Sequence, residues 1–398
     1  MKTMKFAVTT LFALLTWTTL HAQANSFARG ADVSWCTEME NDGKHFYNAD
    51  GVETELFALL RQIGMNAVRL RVWVNPENSY GPWCDKADVL AKAKRAKEQG
   101  LQVMIDFHYS DRFADPGQQV KPTAWSSYTM EQLKTAVANH TTDVLSALKT
   151  EGIEPQWVQV GNETRPGMIF NEGKIDWSKS GAEAWNGYVA LSNAGYDAVK
   201  AVLPNAKVIV HLDKAPEDNA WFFTAFKQYG GKFDMIGLSH YPDWTNWSSD
   251  NTQAASQIAS LSTTFGVKVM LVETGYPSAD ETRAANVMAD LFSKTDTLSG
   301  CAGIFYWEPE TYGAWKPAIY TTWGWGAYNM GAFTSEGKPS KALAPFKDPT
   351  SSIGDGIRSE HSAAAPSWYD LQGRCLPSPR QGIIIRKQGN SKKKIFFY

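Results

Sequence analysis

Cysteine is scarce in this chain, which has four among 398 residues. So few cysteines exclude a disulfide framework as the main source of stability. A chain of this length can instead bury one large apolar core or two moderate ones. Cys36 and Cys84 lie in loop-like stretches flanked by tryptophan and leave two alternatives open, a disulfide bridge or two free thiols.

Excess charge of one sign is also absent, since the formal net charge is −2. Binding to a phosphate backbone needs a basic face, so this balance argues against a nucleic-acid partner.

Apolar runs are confined to the N-terminus. Two lysines, an apolar stretch at 6–20 and small residues at 22–24 follow the order of a secretory signal peptide. We therefore predict a signal peptide at 1–24, with cleavage before Asn25. No later segment has the ~20 apolar residues of a membrane span. The mature protein is expected to be secreted, periplasmic or held at the cell surface, as in a bacterium.

Several catalytic motifs are missing. The chain has no G-x-S-x-G elbow for a serine hydrolase and no Gly-rich phosphate loop after its first strand. His108, His211 and His240 could in principle hold zinc, but each stands alone, without HExxH or His-x-His spacing. We therefore predict that catalysis needs no cofactor and no metal. The Asp- and Asn-rich loops leave open a structural calcium ion.

Aromatic residues, in contrast, are abundant, with 16 Trp, 15 Tyr and 19 Phe. Flat aromatic faces suit both a large core and the stacking of sugar rings. The segment 311–339 is especially rich in them and alternates them with glycine. We interpret it as a sugar-stacking lip on an open groove, with core packing as the alternative.

Runs of β-forming residues alternate with helical patterns along the mature chain. The helical patterns include 52–63, with a capping box at Asp50 and Glu53, and also 87–99 and 185–202. The strand candidates are 27–34, 66–74, 102–109, 156–162, 207–212, 235–241, 268–273 and 303–308. Eight alternating units predict an α/β fold, a (β/α)8 TIM barrel with parallel strands.

Polar side chains stand where the predicted strands end, which is the catalytic end of such a barrel. They are Asp32, Arg71, Trp73, Asp106, His108, Tyr109, Asn162, Glu163, His211, Asp213, His240, Tyr241, Glu273, Trp307 and Glu308. Glu163 and Glu273 are the most informative, because glycoside hydrolysis needs two carboxyl groups in different protonation states. Their long side chains suit a site that spans opposite strands of the ring.

The chain resembles the endo-β-1,4-galactanases of glycoside hydrolase family 53. The resemblance covers about 27–346, and its most specific segment is 106–125. It is carried by GADVS (30–34), RLRVWVNP (69–76), DFHYSDRFADPGQQVKPTAW (106–125), VQVGNE (158–163), GLSHYPDW (237–244) and LVETGYP (271–277). It implies a retaining enzyme that acts on β-1,4-galactan, and we expect a monomer. A mannanase or cellulase, or a barrel that only binds polysaccharide, remain the alternatives.

The resemblance also implies roles for individual residues. Glu163 would be the acid/base and Glu273 the nucleophile. Arg71 and Tyr241 would hold the charge of the nucleophile, and Asn162 would bind the sugar 2-hydroxyl. The other implied sugar contacts are Trp307 as the floor under the ring, and Asp32, His108 and His240 around the innermost subsite.

The composition becomes small and polar after about residue 348. We predict a catalytic domain at 25–348, a linker at 349–367 and a short β-rich C-terminal extension at 368–398.

Overall fold

The computed structural model describes residues 27–76 and 80–347, together with four strands beyond residue 366. The predicted signal peptide at 1–24 and nearly all of the predicted linker at 349–367 lie outside the described residues.

A closed barrel of eight strands, all parallel to their neighbours, forms the centre of the molecule, as the alternating pattern predicts. Each strand neighbours the next in the chain, and the last pairs with the first. The strands are β1 (Ala28–Asp32), β2 (Ala67–Val72), β3 (Gln102–Phe107), β4 (Trp157–Val160), β5 (Lys207–Leu212), β6 (Met235–His240), β7 (Lys268–Thr274) and β8 (Cys301–Trp307).

Helices connect these strands on the outside of the barrel. The α-helices are α1 (Cys36–Asn41), α2 (Leu56–Gln62), α3 (Lys86–Glu98), α4 (Met130–Thr150), α5 (Ala182–Val202), α6 (Ala220–Gln228), α7 (Trp247–Phe265), α8 (Glu281–Thr295) and α9 (Ala318–Trp323). Short 3-10 turns lie at Thr123–Trp125 and Lys341–Phe346.

Helix α2 begins later than the sequence pattern predicts, so the expected capping box is wrong. Glu55 caps the helix, because its side chain accepts a hydrogen bond from the backbone N–H of Ala58. Val52 is 59% exposed, and Glu53 pairs with His45. A carboxylate nearer the apolar face therefore provides the helix start.

The barrel strands separate two apolar cores. Residues of one parity, such as Val68, Leu70 and Val72, pack outward with the helices. Residues of the other parity close the lower lumen, namely Ala28, Ala67, Met104, Trp157, Ile209, Met235, Met270, Val272 and Phe305. Since side chains alternate along a strand, the residues two positions further on face the lumen above this plug.

The three described cysteines, Cys36, Cys84 and Cys301, are free and buried. The alternative of two free thiols therefore holds for Cys36 and Cys84. Burial raises the pKa of the Cys84 thiol to about 11, which makes it unreactive at neutral pH.

The described residues divide into two compact units, with the boundary after Asp348. In the second unit the strands β9 (Ser367–Tyr369), β10 (Cys375–Leu376), β11 (Gly382–Gln388) and β12 (Ser391–Phe397) form an antiparallel sheet in the order β10-β9-β11-β12.

We predict that a chain ending at Asp348 folds and retains full activity, because the barrel closes without the second unit. A chain ending at Gly337 should lose stability, since it lacks Phe346, whose ring lies 4.8 Å from that of Phe292 and 6.1 Å from that of Tyr306. The expected loss is about 3–5 kcal/mol or more, read from chemical denaturation. A destabilised or inactive Asp348 truncation would show that the second unit belongs to the barrel.

Candidate active site

A polar layer lies directly above the apolar plug of the barrel. Its members stand two residues after plug residues on neighbouring strands, which places them on the lumen side. They are Arg69 after Ala67, Asp106 after Met104, Gln159 after Trp157 and His211 after Ile209. All four are buried, so their charges and polar atoms must be paired with one another.

Arg69 is the centre of this layer. Its Nη1 lies 2.6 Å from Asp32 Oδ2, and its Nη2 lies 2.8 Å from Asp106 Oδ2. The same Nη2 lies 2.9 Å from Glu273 Oε1 and 2.8 Å from Asn162 Oδ1. One guanidinium thus joins side chains from four other segments of the barrel end and compensates three buried carboxylates.

A register shift between β6 and β7 brings Glu273 into the lumen. Gly237 pairs with Met270, but Ser239 pairs with Glu273, so β7 holds one extra residue there. Met270 and Val272 already face the lumen, and strict alternation would turn Glu273 outward. The extra residue interrupts the alternation, so the Glu273 side chain faces the lumen after all. Bulges commonly redirect a side chain in this way next to active sites.

Glu163 and Glu273 share one hydroxyl group. Ser239 Oγ lies 2.6 Å from Glu163 Oε1 and 3.5 Å from Glu273 Oε2. These two distances place the carboxylate oxygens at most about 6 Å apart, which fits the close pair of a retaining glycosidase. The Tyr241 hydroxyl donates a second hydrogen bond to Glu273 Oε2, at 3.0 Å.

The two carboxyl groups differ in their electrostatic surroundings. Burial, and then the charge of Glu273, raise the pKa of Glu163 well above its usual value, while the Ser239 hydrogen bond opposes the rise. Burial also raises the pKa of Glu273, to about 7, against the attraction of Arg69. Glu273 alone has a cation in contact, so it ionises first and Glu163 keeps its proton.

Arg71 does not hold the charge of Glu273, so that expectation is wrong. Its Nη1 pairs with Glu308, and its guanidinium lies against the rings of Trp35, Trp73 and Phe113. Arg69 and Arg71 both face the lumen because they are two residues apart, but Arg69 is the one that contacts the nucleophile candidate.

Asp32 and His240 were expected to contact the sugar. Both side chains have no exposed surface, so neither can contact it directly. Asp32 accepts hydrogen bonds from Arg69 and Ser34 and lies beneath the site. His240 follows Ser239 and therefore faces the helices, where its Nε2 lies 2.8 Å from Asn251 Oδ1 on α7.

The other expected substrate-binding residues lie at the catalytic end of the barrel. His108 is buried, with Nε2 2.9 Å from Asp106 Oδ2 and Nδ1 accepting from the backbone of Ala114. The Asn162 amide donates to the carbonyl of Ala114. Tyr241 is 39% exposed, and Trp307 is half-buried. Exposure therefore favours Tyr241 and Trp307 as direct sugar contacts.

The aromatic segment after β8 is mostly core, so its interpretation as a sugar-stacking lip is wrong in part. Trp315, Tyr320 and Phe333 are buried, whereas Trp325 is 45% exposed and Trp323 is half-buried. The rings of Trp323 and Trp325 lie 4.7 Å apart, and these two side chains are accessible to a ligand.

The structure does not support the zinc alternative. His240 lies on the opposite face of its strand from the site, so the three histidines do not converge. Within 27–76 and 80–347, no group of His, Cys, Asp and Glu side chains has the arrangement of a metal site.

Comparison with known proteins identifies the family. The model of glycosyl hydrolase family 53 matches residues 28–346. The chain belongs to this family. It is therefore a glycosidase, and the family expected from the sequence motifs is confirmed.

Family 53 relatives match most of the chain. It is similar to an arabinogalactan endo-beta-1,4-galactanase of Cellvibrio japonicus, with 32% identity over 82% of this chain and 91% of the relative. It is also 32% identical to an endo-beta-1,4-galactanase of Bacillus subtilis over 73% of this chain and 71% of the relative. A solved family 53 catalytic domain of Ignisphaera aggregans is 29% identical, with a TM-score of 0.70, over 81% of this chain and 96% of that one.

Sequence reasoning missed Arg69, Gln159 and Ser239. A signal for them exists, because the apolar residues Ala67, Trp157 and Met235 begin an every-second-residue series that reaches each of them. In β6 this series selects Ser239 over His240.

In this family 53 chain, we predict that Arg69→Lys moves the acid limb of kcat/KM to higher pH and lowers kcat/KM about 100-fold. A single ammonium cannot hold every partner of the guanidinium fork, so the pKa of Glu273 rises and its ionised form is lost at higher pH. Stability should fall by about 3–5 kcal/mol.

Arg71→Lys is the matched control, since it alters a buried arginine on the same face of β2. Its acid limb should stay in place, as measured by pH–rate profiles on variants checked by thermal unfolding. A limb that moves in Arg71→Lys and not in Arg69→Lys would reassign the partner of Glu273.

Proposed function

We propose that this protein is a secreted endo-β-1,4-galactanase that retains the configuration of the anomeric carbon. The observation that carries the proposal is the Ser239 hydroxyl shared by Glu163 and Glu273. It brings one oxygen of each carboxylate to within about 6 Å of the other, which supports the close pair of a retaining enzyme, and we therefore propose a covalent glycosyl intermediate.

In the first step, Glu273 attacks the anomeric carbon while Glu163 gives its proton to the leaving oxygen. The electron pair of the broken bond stays on that oxygen, and a glycosyl ester forms on Glu273. In the second step, Glu163 takes a proton from a water that attacks the same carbon and releases Glu273. Arg69 and Tyr241 stabilise the returning carboxylate charge.

The substrate proposal rests on the relatives. Proteins from Cellvibrio japonicus and Bacillus subtilis that carry galactanase names match 82% and 73% of this chain. We propose internal β-1,4-galactosidic bonds of galactan, or of type I arabinogalactan in pectin, as the target. The N-terminal segment supports export, and no described helix is long and apolar enough to cross a membrane.

We predict that Glu163→Gln lowers turnover of galactan by about 10²–10⁴-fold, because the leaving oxygen loses its acid. Glu273→Gln should lower turnover by about 10⁴-fold or more, because the nucleophile is lost. Both variants should fold and still bind galactan, as read by thermal unfolding and calorimetric titration. Near-normal reducing-end release in either variant would remove that residue from the mechanism.

Loss of a buried carboxyl group also has a signature in stability. The pKa of each glutamate is raised in the folded state, so each contributes stability below its unfolded pKa of about 4.5 that is lost as pH rises through the folded value. Glu163→Gln should therefore be more stable than the parent at pH 8, as measured by chemical denaturation, and the difference should shrink towards pH 4. A difference that grows towards pH 4 would contradict the raised pKa.

A substrate panel tests the specificity. Purified protein with linear β-1,4-galactan, β-1,4-mannan and carboxymethyl-cellulose should release reducing ends from galactan, with Glu273→Gln as the blank. Release from mannan or cellulose in place of galactan would move the protein to another β-1,4-glycanase activity. Release from none, with binding retained, would favour a barrel that only binds polysaccharide.

A further inference from the structure

Ser239 lies between the two carboxylates, and its hydrogen bonds have a single consistent direction. We propose that Ser239 is a positioning residue that selects which oxygen of Glu163 carries the catalytic proton. Its hydroxyl occupies Oε1 and leaves the proton on Oε2. This inference rests on the proposed function, because it assigns Glu163 the role of acid.

The direction of the hydrogen bonds begins at Gln159. Arg69 Nε donates to Gln159 Oε1 at 3.3 Å, so the other end of this amide is its nitrogen. That nitrogen donates to Asp106 Oδ1 at 2.7 Å and lies 2.8 Å from His211 Nδ1. A donor therefore faces Nδ1 of the imidazole.

His211 transmits this direction to Ser239. Its Nδ1 also receives the backbone N–H of Glu163, at 3.3 Å. Asn162 Oδ1 also lies 3.0 Å from Nδ1, but both of its lone pairs have other donors, Arg69 at 2.8 Å and Gln159 at 3.2 Å. With two donors at Nδ1, the imidazole carries its proton on Nε2, which lies 2.8 Å from Ser239 Oγ. Burial and the Arg69 charge lower the pKa of His211 well below its usual value, so the ring stays neutral.

Ser239 has one hydroxyl proton to give. Because His211 donates to its oxygen, this proton goes to a carboxylate, and Glu163 Oε1 at 2.6 Å is nearer than Glu273 Oε2 at 3.5 Å. The register shift between β6 and β7 places Ser239 beside Glu273 and so sets the second of these distances. The Ser239 hydroxyl thus accepts a hydrogen bond from His211 and donates one to Glu163 Oε1. While it donates to Oε1, it cannot accept a proton from the same oxygen.

This arrangement makes the two oxygens of Glu163 unequal. Oε1 is a hydrogen-bond acceptor, so a protonated Glu163 carries its hydrogen on Oε2. No residue in 27–76 or 80–347 hydrogen-bonds to Oε2, which is thus free for the leaving oxygen. The Oε2–H bond breaks as that oxygen takes the proton, and a water later returns a proton to Oε2. Ser239 stays on Oε1 throughout.

Ser239→Ala tests the proposal through the pH profile. In the parent, the hydrogen bond from Ser239 favours the ionised form of Glu163 and lowers its pKa. Without this bond, the pKa of Glu163 should rise, and the alkaline limb of kcat/KM should move to higher pH. The other charged groups facing Glu163, which are Glu273, Asp213 and Asp115, are unchanged in this variant. At the optimum, kcat/KM on galactan should fall by about 10- to 100-fold, because the proton is no longer directed.

A second substrate separates proton delivery from general damage. A dinitrophenyl β-1,4-galactobioside has a leaving group that needs no proton, so Ser239→Ala should form the glycosyl intermediate from it at nearly the parent rate. Ser239→Thr, which keeps the hydroxyl, should restore the alkaline limb. Ser192→Ala, which removes a buried hydroxyl from α5, is the control. It should leave the rates on both substrates unchanged.

An unmoved alkaline limb, or an equal loss on both substrates, would overturn the proposal while the parent remains active. A parent protein inactive on galactan would instead overturn the proposed function. Should Ser239→Ala fail to fold, Ser239→Cys provides a weaker donor of similar size. It should show the same direction of shift, and a limb unmoved in Ser239→Cys would equally overturn the proposal.

Discussion

The buried guanidinium of Arg69 is the interaction on which the rest of the site depends. It lies above the apolar plug and contacts Asp32, Asp106 and Glu273, so three carboxylates from β1, β3 and β7 share one cation. Its desolvation is compensated only while all these partners remain in place, because an unpaired buried charge costs several kcal/mol. The same contact keeps Glu273 the more acidic member of the proposed catalytic pair. Stability and chemistry therefore rest on one side chain.

The second constraint is the shift in register between β6 and β7. It turns Glu273 into the lumen and places it beside Ser239, whose hydroxyl also contacts Glu163. Two glutamates that would be equivalent in water thus have different nearest partners, which are the guanidinium of Arg69 and the phenol of Tyr241 for Glu273 and the hydroxyl of Ser239 for Glu163. This inequality is what a double displacement needs, because one group must attack while the other gives a proton.

The barrel and the glutamate pair could be predicted from the sequence, because strand alternation and strand-end carboxylates leave a strong pattern. The partners of the pair could not. Arg69 and Arg71 face the same side of β2, and only the three-dimensional reach of a long side chain decides which one contacts Glu273. His240 stands out in sequence as a strand-end imidazole, yet the phase of β6 turns it outward and brings Ser239 in. The interpretation of the aromatic segment after β8 as a sugar-stacking lip was wrong in part for a similar reason, because the same aromatic residue types form both sugar-stacking surfaces and apolar cores.

Trapping of the glycosyl intermediate tests the central claim most directly. A 2-deoxy-2-fluoro β-1,4-galactobioside with a dinitrophenyl leaving group should inactivate the protein, and intact mass should rise by one fluorinated disaccharide. Peptide mapping should place the label on Glu273, and Glu273→Gln should remain unlabelled. A label on Glu163, or steady turnover with inversion at the anomeric carbon and no adduct, would contradict the account.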